Sequence, residues 1–231
     1  MTEVGIDVDC APVADVPAVG ADPVIGDRAY GTDPAKVAAL AGAFAAGLMD
    51  GGVLPVLKHL PGHGRATADS HQNLPVVTAD WGTLDASDFA AFRPLSGLPL
   101  GMTAHIVFSA IDPVAPATTS ANIVKQVIRD SIGFTGLLMS DDISMGALSG
   151  SLSERTMAAI AAGCDVVLHC NGVLSEMVEV AAEAPALAGD AARRAAAALA
   201  ARKPPAPFDV AASRTEFIKL LNDIRPEAGF A

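Results

Sequence analysis

Basic residues, cysteines and aromatics are all scarce in this chain, and each shortage closes off a class of function. Lys and Arg number 15 against 26 Asp and Glu, a net charge of −11, so a polyanion meets a repulsive average field. The clustered basics Arg193, Arg194, Arg202 and Lys203 sit in an Ala-rich segment and read as its solvated helical face. No nucleic-acid partner is expected. Cys10, Cys164 and Cys170 cannot all pair and none has zinc-type spacing with another, which argues against a disulfide framework. The longest near-apolar stretch, residues 37–49, is 13 residues, short of the ~20 a membrane-spanning helix needs. No membrane partner is expected. Met1 leads directly into a strand-like segment with neither a basic nor an apolar leader region, so the default address is the cytoplasm.

What is abundant is small and apolar. Hydrophobic residues make up 51% of the 231 positions and aromatics only 4%, and the positive mean hydropathy of +0.40 comes largely from Ala and Val. That is the composition of one sizeable globular domain over residues 1–231, and no internal repeat divides it.

Short β-rich runs alternate with helical patterns. The strand candidates are Gly5–Pro12, Val53–His59, Leu100–Val107, Gly136–Ser140 and Asp165–Cys170, mostly continuous apolar runs suited to parallel strands buried on both faces. The first helix begins at Pro34 behind an Asp33 cap and carries Val37, Leu40, Ala41, Phe44 and Leu48 at helical spacing. Others are expected over Leu84–Phe92, from Ser120 to near Gly133, over Leu152–Ala162 with Gly163 at its end, over Leu174–Ala182 and Leu187–Arg202, and around Phe217–Ile224. A β-loop-α series of this kind means right-handed parallel crossovers, in an open doubly wound sheet or a barrel. Polar residues at nearly every strand's C-terminal end, namely Asp15, Lys58, His59, His105, Asp141 and Asn171, favour the barrel, whose sites are built that way.

The segment Lys58–Pro75, KHLPGHGRATADSHQNLP, holds three of the five histidines. Three readings stand for it. It is a polar surface turn; or His59, His63, His71 and Asp69 ligate a metal, against which Pro61 and Gly62 forbid the helix that the spacing would suit; or it performs acid/base chemistry. In the last, Asp69 lies two residues before His71, and its carboxylate accepts the imidazole Nδ1 proton and prepares a proton donor. The partner is then a carboxylate at another strand end, and Asp141 follows the buried run Gly136–Ser140 directly. An acid there also suits a helix cap or a solvated turn. Lys58, His59 and Arg28 are suited to ligand hydroxyls. Gly62 and Gly64 let the loop turn or move.

At these residues the chain resembles a known family. CAPVADV (10–16), VIGDRAYG (24–31), KHLPGHGRATADSH (58–71), MTAHIVF (102–108), GFTGLLMSDDISMGAL (133–148) and AGCDVVLHCN (162–171) are similar, in order and spacing, to the bacterial β-N-acetylglucosaminidases of glycoside hydrolase family 3. The resemblance implies Asp141 as nucleophile, His71 as general acid/base and Asp69 as its orienting partner. It also implies Arg28, Lys58 and His59 as ligands of a terminal N-acetylglucosamine. It implies a TIM-type (β/α)8 barrel, no metal or organic cofactor, and retention of configuration. The implied substrates are muropeptides with N-acetylglucosamine β-linked to anhydro-N-acetylmuramic acid, cleaved during cell-wall recycling in the cytoplasm. Five strand candidates amount to about five of eight β/α units, so an incomplete barrel lacking part of the sugar-binding wall is expected. A metal-dependent barrel hydrolase and a catalytically impaired sugar-binding fragment are the alternatives from other classes.

Overall fold

The computed structural model describes residues 1–224. Its centre is a five-stranded, wholly parallel sheet formed by β1 (Val8–Asp9), β2 (Leu54–Leu60), β4 (Leu100–Thr103), β6 (Leu137–Asp142) and β7 (Val166–Leu168), in that spatial order. The sheet curls as a half-barrel. A separate parallel pair joins β3 (Val76–Val77), too short to show a hydrophobic period, to β5 (Val107–Phe108), so the Leu100–Val107 candidate is split between β4 and β5.

The first strand, Val8–Asp9, is shorter than the Gly5–Pro12 candidate, whose first residue, Gly5, instead closes a 3-10 turn over Thr2–Val4 at φ 79°. The chain nevertheless follows β2 well past β1: Val56 N donates to Ala11 O, Lys58 N to Pro12 O and Ala14 N to Lys58 O. That continued alignment delivers Asp15 to the end of β2.

Helices form where caps and stripes agree. In α1 (Pro34–Asp50) the Asp33 side chain accepts from Lys36 N at 2.7 Å. A full capping box between Ser151 and Glu154 opens α4 (Leu152–Ala162), and Gly163 closes it at φ 111°. The Leu84–Phe92 stripe is two helices, α2 (Trp81–Ala86) and α3 (Asp88–Phe92), broken at Ser87. The first starts early because Asp80 caps it through Thr83 N. Ser120 Oγ does accept from Ile123 N, but the segment Ile123–Ser131 winds as a π-helix. Among the described residues, three helices follow β7: α5 (Leu174–Glu183), α6 (Gly189–Ala201) and α7 (Val210–Ile224).

The two faces of the sheet are packed differently. On one, Leu57, Leu60 and Leu138 meet α1, α3 and the π-helix through Val37, Phe89, Phe92, Val127 and Ile128. On the other, Leu54, Val56, Leu100, Met102 and Leu137 are met by Ala198 of α6, with Ala195 and Ala201 beside it. The basic residues of α6 therefore do more than face water. Arg194 reaches Asp165, at the start of β7, at 2.8 Å with only 19% of its side chain exposed, and Arg202 pairs with Asp7 before β1. Asp165 also accepts from Arg129 and from Leu138 N, so the N-terminal ends of the strands are clamped to α6. The C-terminal ends stay open as a mouth. Among the described residues no helix is long and apolar enough to cross a membrane.

Candidate active site

Strand geometry places the site. Side chains two apart on a strand share a face, so Lys58 continues the row of Leu54 and Val56, and Asp141 continues the row of Leu137 and Met139. Both leave the apolar floor under α6 and reach the mouth. Pairing is irregular between Leu57 and Leu60, and there the consecutive Lys58 and His59 line the same cavity. That cavity, about 280 Å³, is walled by Val24, Ile25, Arg28, Lys58, His59, His63, Ser70, His71 and Asp141. Five of the six residues singled out from the sequence lie on its wall. The sixth, Asp69, stands behind His71: its Oδ1 accepts from His71 N at 2.9 Å and lies 2.7 Å from His71 Nδ1.

The cavity has a buried side and an exposed side. On the buried side, Asp15 is fully enclosed and accepts from His59 N (3.3 Å), His63 N (2.6 Å) and His59 Nδ1 (2.7 Å). Burial alone would raise its carboxyl, but the charge and hydrogen bonds of His59 and His63 bring it below the ordinary value. A carboxylate only accepts, so the His59 Nδ1 proton is committed to Asp15 and Nε2 is the imidazole's remaining polar edge. On the exposed side, His71 is 63% exposed, and the hydrogen bond from its backbone N–H, reinforced by its ring, holds Asp69 below the usual carboxylate range. Arg28 is also exposed; it donates to Val24 O at 3.3 Å rather than pairing with Asp27. Asp141 Oδ1 accepts from Asp142 N at 2.8 Å, which orients its carboxyl at the end of β6.

The loop between these sides is packed, not free. A Cβ on Gly64 would lie 2.0 Å from Val16 O, so the glycine permits close approach of two backbones, with Ala18 N donating to Gly64 O. Arg65 anchors to Asp88 at 2.6 Å and to Ser87 at 2.7 Å. Beyond it, Gly146 N donates to His71 O and Ala147 N to Ser70 O, which seats the loop on the turn after Asp141.

From the sequence Asp15 reads only as a strand-end polar residue and His63 only as a possible metal ligand, and nothing there points to Ser70. An acid inside the apolar run PVADV is a signal, since a buried carboxylate demands partners. Nothing local marks His63 as the inward-facing histidine of its loop. Among the described residues no three His, Cys, Asp or Glu side chains converge to hold a metal ion. Cys10 and Cys170, set aside in the sequence, stand at the ends of β1 and β7 within electrostatic reach of Lys58 and Asp141.

Comparison with known proteins bears on the chain's family and fold. The glycosyl hydrolase family 3 N-terminal domain matches residues 1–198. A β-hexosaminidase of Alkalilimnicola ehrlichii is 44% identical over 171 residues, covering 72% of this chain and 49% of that protein. The chain spans about half the length of the curated relatives it matches. A family 3 β-N-acetylglucosaminidase from Paenibacillus sp. superposes with a TM-score of 0.81 at 27% identity, over 100% of this chain and 49% of the other. NagZ from Neisseria gonorrhoeae, in complex with N-trifluoroacetyl-D-glucosamine, does so at 0.75 and 36% identity, over 85% and 57%. With its half-barrel and its match over most of its length, the chain belongs to glycoside hydrolase family 3.

Proposed function

We propose that residues 1–231 form a single, partial barrel domain carrying the reacting centre of a retaining β-N-acetylhexosaminidase. The observation that carries this reading is that Asp141, at the end of β6, and His71, on the loop after β2, wall one polar cavity with Arg28, Lys58 and His59. Asp141 attacks the anomeric carbon as His71 protonates the departing oxygen, and the glycosyl-enzyme is then hydrolysed by a water that His71 deprotonates. Two displacements restore the β configuration. Asp69 fixes the His71 tautomer through Nδ1 and leaves Nε2 as the ring nitrogen that passes the proton. Lys58, His59 through Nε2, and Arg28 hydrogen-bond the hydroxyls of a terminal N-acetylglucosamine.

The chemistry calls for neither metal nor organic cofactor. The substrate class is small carbohydrate, as in the Neisseria relative solved with an N-acylglucosamine, and the natural substrates are muropeptides ending in β-linked N-acetylglucosamine on anhydro-N-acetylmuramic acid. A cytoplasmic role in cell-wall recycling suits the three free thiols, which a reducing compartment preserves. The acidic net charge does not favour a nucleic-acid partner.

Reacting the His71→Ala chain with an activated aryl β-N-acetylglucosaminide, which needs no proton donor to react, tests the covalent step. Peptide mass mapping is expected to find the sugar on the peptide carrying Asp141 and to lose it in the Asp141→Asn, His71→Ala double variant. Turnover with the adduct on another carboxylate, or with inverted product, overturns the reading.

A further inference from the structure

His63 and Ser70 are the two polar residues of the cavity wall that the mechanism leaves unused. Each is only 3% exposed, and His63 Nε2 lies 3.0 Å from Ser70 Oγ. Ser70 sits between Asp69 and His71 in sequence, so whatever holds Ser70 holds the dyad. His63 is itself held, because its backbone N–H donates to the buried Asp15 at 2.6 Å. The backbone of the same stretch rests on the turn after Asp141, through Ala147 N to Ser70 O at 3.2 Å and Gly146 N to His71 O at 3.0 Å.

From this geometry we infer that the His63–Ser70 hydrogen bond is a latch that docks the His71 loop on the Gly146–Ala147 turn. His63 and Ser70 are thus positioning residues for proton transfer rather than catalytic ones. Without the bond, the Asp69–His71 pair stays intact, since its two contacts are local to that segment. What is lost is its placement against Asp141. Asp15 then serves both halves of the site, orienting His59 through Nδ1 and anchoring the latch through His63 N. Burial keeps the His63 imidazole below its ordinary basicity, against the pull of Asp15, which suits a neutral hydrogen-bonding strut. Among the described residues the Ser70 contact is the one polar bond the His63 ring makes, Nδ1 having no partner there.

The inference deepens the proposed function and is tested so that the two fail separately. Ser70→Ala removes the latch hydroxyl, and His63→Gln keeps an amide nitrogen near the Nε2 position as the conservative variant. Amide hydrogen exchange on the full chain is expected to speed up at least tenfold at Gly146 and Ala147 in Ser70→Ala, with β2 and β6 unchanged and most protection kept in His63→Gln. This arm does not depend on turnover. In the kinetic arm, Ser70→Ala is expected to lower kcat/KM at least tenfold more for a disaccharide than for an activated aryl glycoside, mostly in kcat. A purely structural role would lower both alike. Exchange at Gly146 and Ala147 within twofold of the parent in Ser70→Ala overturns the latch, as does a selective loss seen in His71→Ala but not in Ser70→Ala. Equal losses on both substrates in His71→Ala overturn the acid/base reading instead, and leave the exchange arm to decide the latch.

Discussion

Two imidazole–carboxylate pairs of the same length stand on either side of one cavity. His59 Nδ1 to Asp15 is 2.7 Å with the side chains 7% and 0% exposed, and His71 Nδ1 to Asp69 is 2.7 Å with 63% and 31% exposed. Distance therefore does not set their roles; surroundings do. Asp15 stays ionised out of water only because three donors converge on it, and once so satisfied it has a single orientation. Asp69 keeps water on one side, so its bond is screened and the His71 ring stands open to solvent at the cavity wall. In the proposed function the buried pair holds the sugar at a fixed place and the exposed pair moves the proton.

Removing each carboxylate breaks the comparison most directly. Asp15→Ala strands two amides and an imidazole in the interior and is expected to cost ~3–5 kcal/mol of unfolding free energy. Asp69→Ala is expected to cost ~1 kcal/mol or less, despite the equal bond length. Urea denaturation of both variants reads the difference, and similar losses would mean that burial does not separate the pairs. Next in size is Gly64→Ala. The Cβ that would sit 2.0 Å from Val16 O forces the loop away from the segment bearing Asp15, at ~1–3 kcal/mol or more. An unchanged denaturation midpoint would show that the loop is free to shift there.

Much of this was legible in the sequence where local signals were redundant. In α4, a Ser151 cap, a Glu three positions later and a terminal Gly163 all mark the same boundaries, and the helix runs from Leu152 to Ala162. The strands that carry Lys58 and Asp141 were legible because buried apolar runs lead into those residues, although β2 continues to Leu60 and β6 to Asp142. What was not legible depends on distant partners. Arg194 reads as one more exposed cation on a helix, and only the meeting of α6 with the start of β7 turns it toward Asp165. The π-helix has the same apolar stripe as an α-helix would, with Ile123, Val124, Val127 and Ile128 all buried. His63 and His71 share a loop and a residue type; which faces inward is decided by Asp15, 48 positions before His63.

Acid titration sharpens the same contrast at smaller amplitude. Burial, outweighing the nearby Asp15 and Asp141 carboxylates respectively, holds His63 and His105 below the ordinary histidine value. Above about pH 6.5 both are neutral in the folded and unfolded chain alike. As pH falls below that, the unfolded chain binds protons that the native sites refuse. Stability should therefore decline by up to ~1.4 kcal/mol per pH unit for each histidine until the folded values are reached. Asp15 and Asp69, both depressed, add their loss only below about pH 4, as pH falls through their folded values. Urea midpoints from pH 8 to 4 that stay flat for the parent chain would contradict this, and His63→Gln should reduce the slope between pH 6.5 and 5.

The smallest effect on stability is expected at Arg28, which completes the comparison because it is a candidate sugar ligand on the exposed side. Among the described residues its side chain makes one hydrogen bond, a long 3.3 Å contact to Val24 O from an exposed 3-10 turn, so Arg28→Ala should change unfolding by no more than ~0.5 kcal/mol. If it binds the sugar, the same change should raise KM with little effect on kcat, as expected for an interaction made equally in ground and transition states. A fall in kcat at constant KM would move Arg28 from holding the sugar to stabilising the charge that develops on it. The exposed side of the cavity would then contribute to the chemical step through two residues, His71 and Arg28, while the buried side only fixes the ligand.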